Sequence, residues 1–262
     1  MTNLPVGQSL CPASLDDDPS LQAAPLNLYS DNFLLNLALY APVFLFALSV
    51  HECAHAITAR WGGDTLPDEQ GRVTLNPLSH IDPIGTVLMP ILGMLSGIPL
   101  LMWAKPVESR PNSFRRGPRY HSIVAFAGPL SNLLLALISS LLFGCLNLVA
   151  IQFAATIQGS ESLEKIMAVV VNLLSYSVIV NLGLACFNML PFPPLDGHHI
   201  VRDYVISPNP ALRPAWEFFC QYGPYLLLFG IIFGFLQPLL RFVLYPLAHL
   251  VFAFGELPFL LG

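Results

Sequence analysis

His51-Glu52-Cys53-Ala54-His55 lies at the end of an apolar run that begins at Phe33, and how it is read decides the class of the whole chain. On a helix, residues four apart sit about 40° apart around the axis and one turn apart along it, so both imidazoles can reach one metal ion. Glu52 points into the space between them. Two neutral imidazole ligands, with a carboxylate that is not a ligand but takes a proton from water, form the arrangement of a zinc hydrolase. Five-residue patterns also recur by chance, so the surroundings must carry weight. They do, because residues 32–51 contain no Asp, Glu, Lys or Arg. Ionisable groups at membrane depth cost several kcal/mol unless paired or metal-bound, which makes them functional candidates.

The composition, 55% hydrophobic and 10% charged with a mean hydropathy of +0.64, excludes an ordinary soluble domain. It implies an all-α polytopic membrane protein. Uncharged runs at 32–51, 83–104, 121–160, 166–195, 218–240 and 242–255 are mostly long enough to cross about 30 Å of hydrocarbon as helix, the last being marginal. The net charge of −5 comes with no basic stripe or aromatic-basic interleaving, so nucleic acid is not an expected partner. Cys11, Cys53, Cys145, Cys186 and Cys220 show no paired spacing and read as buried small hydrophobes.

Residues 1–32 hold no Lys or Arg but carry Asp16, Asp17, Asp18 and Asp31 among several prolines. They are expected to form a loosely ordered tail on the outer side, and not a cleaved signal peptide, since a basic n-region is missing. Residues 33–262 are read as one membrane domain, with a core at about 33–200 and C-terminal helices at about 218–262. A first helix from Phe33 is expected to stop at Gly62-Gly63. Arg72-Val73-Thr74-Leu75-Asn76 has strand-like composition. In 83–104, Pro90, Gly93, Gly97 and Pro99 suit a re-entrant segment that enters and leaves by one face.

Charge supports that topology. Lys105, Arg110, Arg115, Arg116 and Arg119 stand against Glu108 alone, the strongest cytoplasmic marker in the chain. If the first helix also ends inside, the segment between makes no net crossing, 121–148 runs outward and 166–190 returns. Asn188 to Gly197 then lies at the depth of His51 and His55. Pro191, Pro193 and Pro194 forbid regular helix there, and irregular backbone at membrane depth is tolerated where it lines a wet cavity. The C-terminal apolar sequence, with Pro238, Arg241 and Pro246, reads as one kinked helix or a short hairpin.

Three motifs in this order, His51 to His55, Gly128-Pro129-Leu130-Ser131-Asn132, and Asn188 through Leu195-Asp196-Gly197, resemble the site-2 protease family of intramembrane zinc metalloproteases. Asn76 to Gly85 and Trp103-Ala104-Lys105-Pro106 are similar to its compact members without PDZ or CBS domains. The resemblance covers about 33–200. It implies a fold of three core helices with a membrane-embedded β-hairpin, which 72–85 match in position. It implies that His51, His55 and Asp196 ligate one zinc ion, that Glu52 is general base and acid, and that Asn132 sits beside the site.

Three protein ligands leave zinc an open position, the catalytic arrangement. Asn132 is expected either to donate a hydrogen bond to substrate or oxyanion, or to tie helices together. A helical substrate hides its carbonyls, so an unwound one is needed, and strand addition along Val73 to Asn76 is one way to hold it. The expected function is peptide hydrolysis within transmembrane segments of single-pass membrane proteins, in the plasma membrane, with the site near the cytoplasmic side. The alternative is a non-catalytic metal-binding scaffold or a transporter. His80 is expected at the surface or in a hydrogen-bonding role, His198 and His199 beside the site or exposed, and His121 and His249 at the interface.

Overall fold

The computed structural model describes residues 33–88 and 104–255. The re-entrant reading of 83–104 therefore falls mostly outside the described residues, as do the tail reading of 1–32 and the last residues of the C-terminal helices.

Helix α1 spans Phe33–Gly62. Its end follows from two glycines. Gly63 takes φ 103°, its N–H bonds Arg60 O at 3.0 Å, and Asp64 N–H reaches back to Ala59 O at 3.1 Å. This is a Schellman cap, which satisfies carbonyls that the helix leaves open. A side chain on Gly62 would overlap the ring of Tyr120. That glycine lets Ala59, Phe114, Tyr120 and Val124 close into one buried cluster.

A short helix α2, Leu66–Glu69, follows. The stretch 72–76 does not form a strand, and the described residues contain none. The reason is local: Arg72 N bonds Pro67 O, Thr74 N bonds Arg72 O, and Asn76 N bonds Thr74 Oγ1. The N–H groups of Arg72, Thr74 and Asn76 are thus spent on turns between Pro67 and Pro77.

Helix α3, Tyr120–Gln152, leads through α4, Ala154–Gln158, to α5, Glu161–Asn188. A proline-rich turn then opens α6, Asp196–Val201. Arg115 N donates to Gly62 O at 2.9 Å, and Tyr120 Oη donates to Thr58 O at 3.3 Å. The chain between α1 and α3 thus starts and finishes at one end of the bundle, as the charge pattern requires.

Helices α1, α3 and α5 pack on one another. The C-terminal run is two helices, α7, Arg213–Ile232, and α8, Leu236–Gly255. The break falls at Gly234, with φ 74°, a conformation that glycine adopts freely. Pro238 sits in the first turn of α8, where its missing N–H costs nothing. Helix α8 completes a second core through Ala136, Val178, Leu182 and Val251. Among the described residues four helices, α1, α3, α5 and α8, are long and apolar enough to cross a membrane, and α7 is not one of them. The apolar run 218–240 is therefore not a single span: Gly234 divides it between two helices.

The turn that delivers Asp196 is set by contact with backbone. A Cβ on Gly197 would overlap the carbonyl oxygens of Met189 and Leu190, whereas one on Gly183 in α5 meets nothing within 4 Å. Gly197→Ala should therefore lower stability by about 1–3 kcal/mol, since backbone cannot yield. Gly183→Ala should leave it unchanged or raise it by up to about 1 kcal/mol. Thermal unfolding of both purified variants in detergent checks the contrast.

Candidate metal centre

His51 and His55 lie four residues apart on α1, and both are almost fully buried where α3 passes closest. The near approach depends on Gly128: a side chain there would overlap His55 Nε2 and come within 2.7 Å of His51 Cε1. The motif around Asn132 therefore contributes space as well as a polar group.

Each imidazole is fixed by its Nδ1. His51 Nδ1 lies 2.5 Å from Asn132 Oδ1. The Asn132 amide nitrogen donates to Ala47 O at 3.2 Å and to Asn181 Oδ1 at 2.8 Å, so Oδ1 is an acceptor and His51 Nδ1 carries the proton. His55 Nδ1 lies 2.7 Å from Val124 O, which can only accept. Both Nε2 atoms are then left with lone pairs. They face each other at 3.1 Å.

Asp196 joins them from the start of α6. Its Oδ2 is 3.2 Å from His51 Nε2 and its Oδ1 is 3.4 Å from His55 Nε2. The carboxylate Oδ2 is buried without a hydrogen-bond donor. Three acceptors thus converge in a dry place, an arrangement that is repulsive unless something positive sits among them. Two nitrogens and one carboxylate oxygen suit zinc, and among the described residues this is the one cluster whose ligand atoms lie within 4.8 Å of one another.

Further contacts hold Asp196 in place. Asp203, beyond the end of α6, accepts from Ser122 Oγ at 2.7 Å and from Arg202 Nε at 2.8 Å. Arg202 Nη2 donates to His121 Nδ1 at 3.1 Å. These bonds fasten the α6 segment to the base of α3. From the other side α7 braces the proline turn, with Gly223 against Pro193 and Phe219 against Phe192 at 5.5 Å.

Glu52 is buried beside the imidazoles and accepts the N–H of Val107 on Oε2 at 3.0 Å. His80 is not at the surface: it is 1% exposed, with Nε2 bonded to Thr74 O at 2.9 Å. His121, expected at the interface, is buried because α6 and Arg202 cover it. His198 bonds Leu195 O through Nδ1 at 2.7 Å. His199 packs between His198 and His121, and burial pushes its imidazole down to about 2, so it is neutral. His249 is exposed beside Tyr245. Sequence reasoning missed Asn181, although a polar residue within an uncharged span was a usable signal. The Val124 carbonyl and Val107 amide carry no such signal.

Residues 98–231 match Peptidase family M50. The chain is 34% identical over 223 residues to a protein of Bacillus subtilis (strain 168) provisionally named zinc metalloprotease YwhC, covering 84% of this chain and 91% of that one. A match of that extent necessarily includes both His51 and Asp196. Two mycobacterial proteins provisionally named zinc metalloprotease Rip2 are also similar. The one from Mycolicibacterium smegmatis is 30% identical over 182 residues, covering 67% of this chain and 61% of its own. The one from Mycobacterium tuberculosis (strain H37Rv) is 29% identical over 188 residues, covering 68% and 65%. No solved structure matches the chain. With the family matched across the Asp196 turn and the Bacillus subtilis relative across the imidazole pair as well, the chain belongs to peptidase family M50, the site-2 proteases, and is an intramembrane zinc metalloprotease.

Proposed function

We propose that His51, His55 and Asp196 hold the zinc ion, that Glu52 is the general base and then the general acid, and that Asn132 acts through His51. The observation that carries this reading is the convergence of two imidazole lone pairs and an ionised carboxylate, with one carboxylate oxygen lacking a donor. Zinc held there would supply a Lewis acid able to polarise the scissile carbonyl and to acidify a water molecule. Glu52 takes the proton from that water and later gives it to the leaving amine. Asn132 and Val124 keep the imidazole protons on Nδ1, which aims each Nε2 at the metal. Burial of His51, Glu52 and His55 keeps bulk water from the reacting groups.

The Asn132 side chain has no hydrogen left for a substrate, because both hydrogens of its amide nitrogen already face Ala47 O and Asn181 Oδ1. The reading of Asn132 as a donor to substrate or oxyanion is replaced by one in which it orients a ligand and ties α1, α3 and α5 together.

The family acts on membrane proteins within the bilayer, and this chain is a multi-pass membrane protein. We assign it single-pass membrane-protein substrates and a place in the plasma membrane. The site is assigned to the cytoplasmic side, because the basic loop with Arg110, Arg115, Arg116 and Arg119 joins the end of the bundle where α1 finishes. Residues 33–262 are taken as a single membrane domain preceded by a tail over 1–32.

Glu52→Gln should keep zinc at wild-type stoichiometry while turnover of a transmembrane peptide falls by about 10²–10⁴-fold. Unchanged turnover would remove Glu52 from the reaction, whereas a wild-type protein that holds zinc and cleaves no such peptide would support a scaffold or a transporter. Asp196→Ala should lose both zinc and activity, measured by metal analysis of the purified protein and by the same peptide assay. Asn132→Ala should weaken zinc affinity by about 10–100-fold in chelator competition. A fall in kcat with zinc affinity unchanged would restore the substrate-facing role.

A further inference from the structure

Lys105 to Arg110 passes Glu52 as backbone outside any helix or strand, and Pro106 stiffens it. Pro106 fixes its own φ and restrains Lys105 to extended conformations. Pro106 has no N–H to offer, and the N–H groups of Lys105 and Val107 stand on either side of it in the chain. Both are used. Lys105 N donates to His80 O at 2.9 Å, and Val107 N donates to Glu52 Oε2 at 3.0 Å.

The segment is fastened on either side of that second bond. His80 is 1% exposed, and its ring is held by Thr74 O at 2.9 Å. Downstream, Arg110 N donates to Oδ2 of Asp64 at 2.5 Å, and Asp64, also 1% exposed, accepts Leu66 N on Oδ1 at 3.1 Å. Gln70 Nε2 adds a bond to Glu108 Oε2 at 2.9 Å. Two buried groups therefore set the register that brings one backbone amide to the carboxylate of Glu52.

We propose that the backbone N–H of Val107 is a positioning group for the general base. The inference rests on the reading of Glu52 given above. A flexible glutamate next to two ligands has several rotamers, most of which aim its carboxylate away from a shared water. A charge-assisted bond from a tethered amide selects one of them, occupies Oε2 and leaves Oε1 to accept the proton. No side chain at 107 takes part, so the role depends on the donor alone.

Val107→Pro removes the donor, and Val107→Ala keeps it. With full-length, zinc-loaded protein and a transmembrane peptide, Val107→Pro should lower kcat by about 10–100-fold, the loss seen when a partner that orients a site group is removed. KM should stay within about twofold and zinc content should be unchanged, while Val107→Ala recovers kcat to within about twofold. In a Glu52→Gln background the proline should cost nothing further, because the two changes act on one group. Equal kcat for the proline and alanine variants would overturn the proposal, as would an equal loss with and without Glu52. If the proline variant does not fold, amide hydrogen exchange at Val107 decides: about tenfold faster exchange in Glu52→Ala than in wild type upholds the contact, and no change refutes it. Full turnover by Glu52→Gln would reject the general-base reading itself. A dead Glu52→Gln beside a normal Val107→Pro would reject only the role of Val107.

Discussion

Three acceptor atoms that repel one another in a water-poor interior are the constraint on which the rest of this structure depends. His51 Nε2, His55 Nε2 and the Asp196 carboxylate approach within 3.1–3.4 Å, and each is brought there by a different device. The helix repeat pairs the imidazoles. Gly128 removes the side chain that would separate α3 from them. A turn that tolerates only glycine at 197 drops the carboxylate on top. A divalent cation held there would turn the convergence from a cost into a gain and would link folding to metal binding.

The polar groups that hold this arrangement continue into the bundle. Asn132 bonds Asn181, Asn181 bonds Ser177 O, Ser139 bonds Ser177 Oγ, and Ser140 bonds the carbonyl of Val251. Asn132 and Ser139 lie seven residues apart on one face of α3, along with the buried Ala136 and Ser140. Small side chains there let the helices come close, and each bond between helices adds about 0.6–2 kcal/mol. Burying apolar surface distinguishes little between neighbours when the solvent is lipid. Packing and these hydrogen bonds therefore set the register of α1, α3 and α5, and with it the height at which the ligands meet.

Much of this was legible in the residues. The i, i+4 spacing within an uncharged run announced a helix-borne imidazole pair, and the basic loop indicated which ends share a side, which brought Asp196 to the depth of that pair. Arg72 to Asn76 misled because composition favours a strand while Pro67, Pro77 and the Thr74 hydroxyl favour turns, and short-range bonds won. The break at Gly234 was hidden in a run whose apolar residues suit one helix or two. Asn132 was found, but its task was open, since an amide can face a substrate or a ligand and only its neighbours decide. Val124 and Val107 act through backbone groups, which leave no trace in the side-chain alphabet.

The central claim concerns which atoms surround the ion, and X-ray absorption at the zinc edge of the purified protein addresses it directly. The account predicts a first shell of nitrogen and oxygen only, at about 2.0–2.2 Å, with imidazole scattering that is reduced in the metal-loaded fraction of His55→Ala. A sulfur neighbour at about 2.3 Å, which would implicate Cys53, or an imidazole signature unaltered when His55 is replaced, would contradict it.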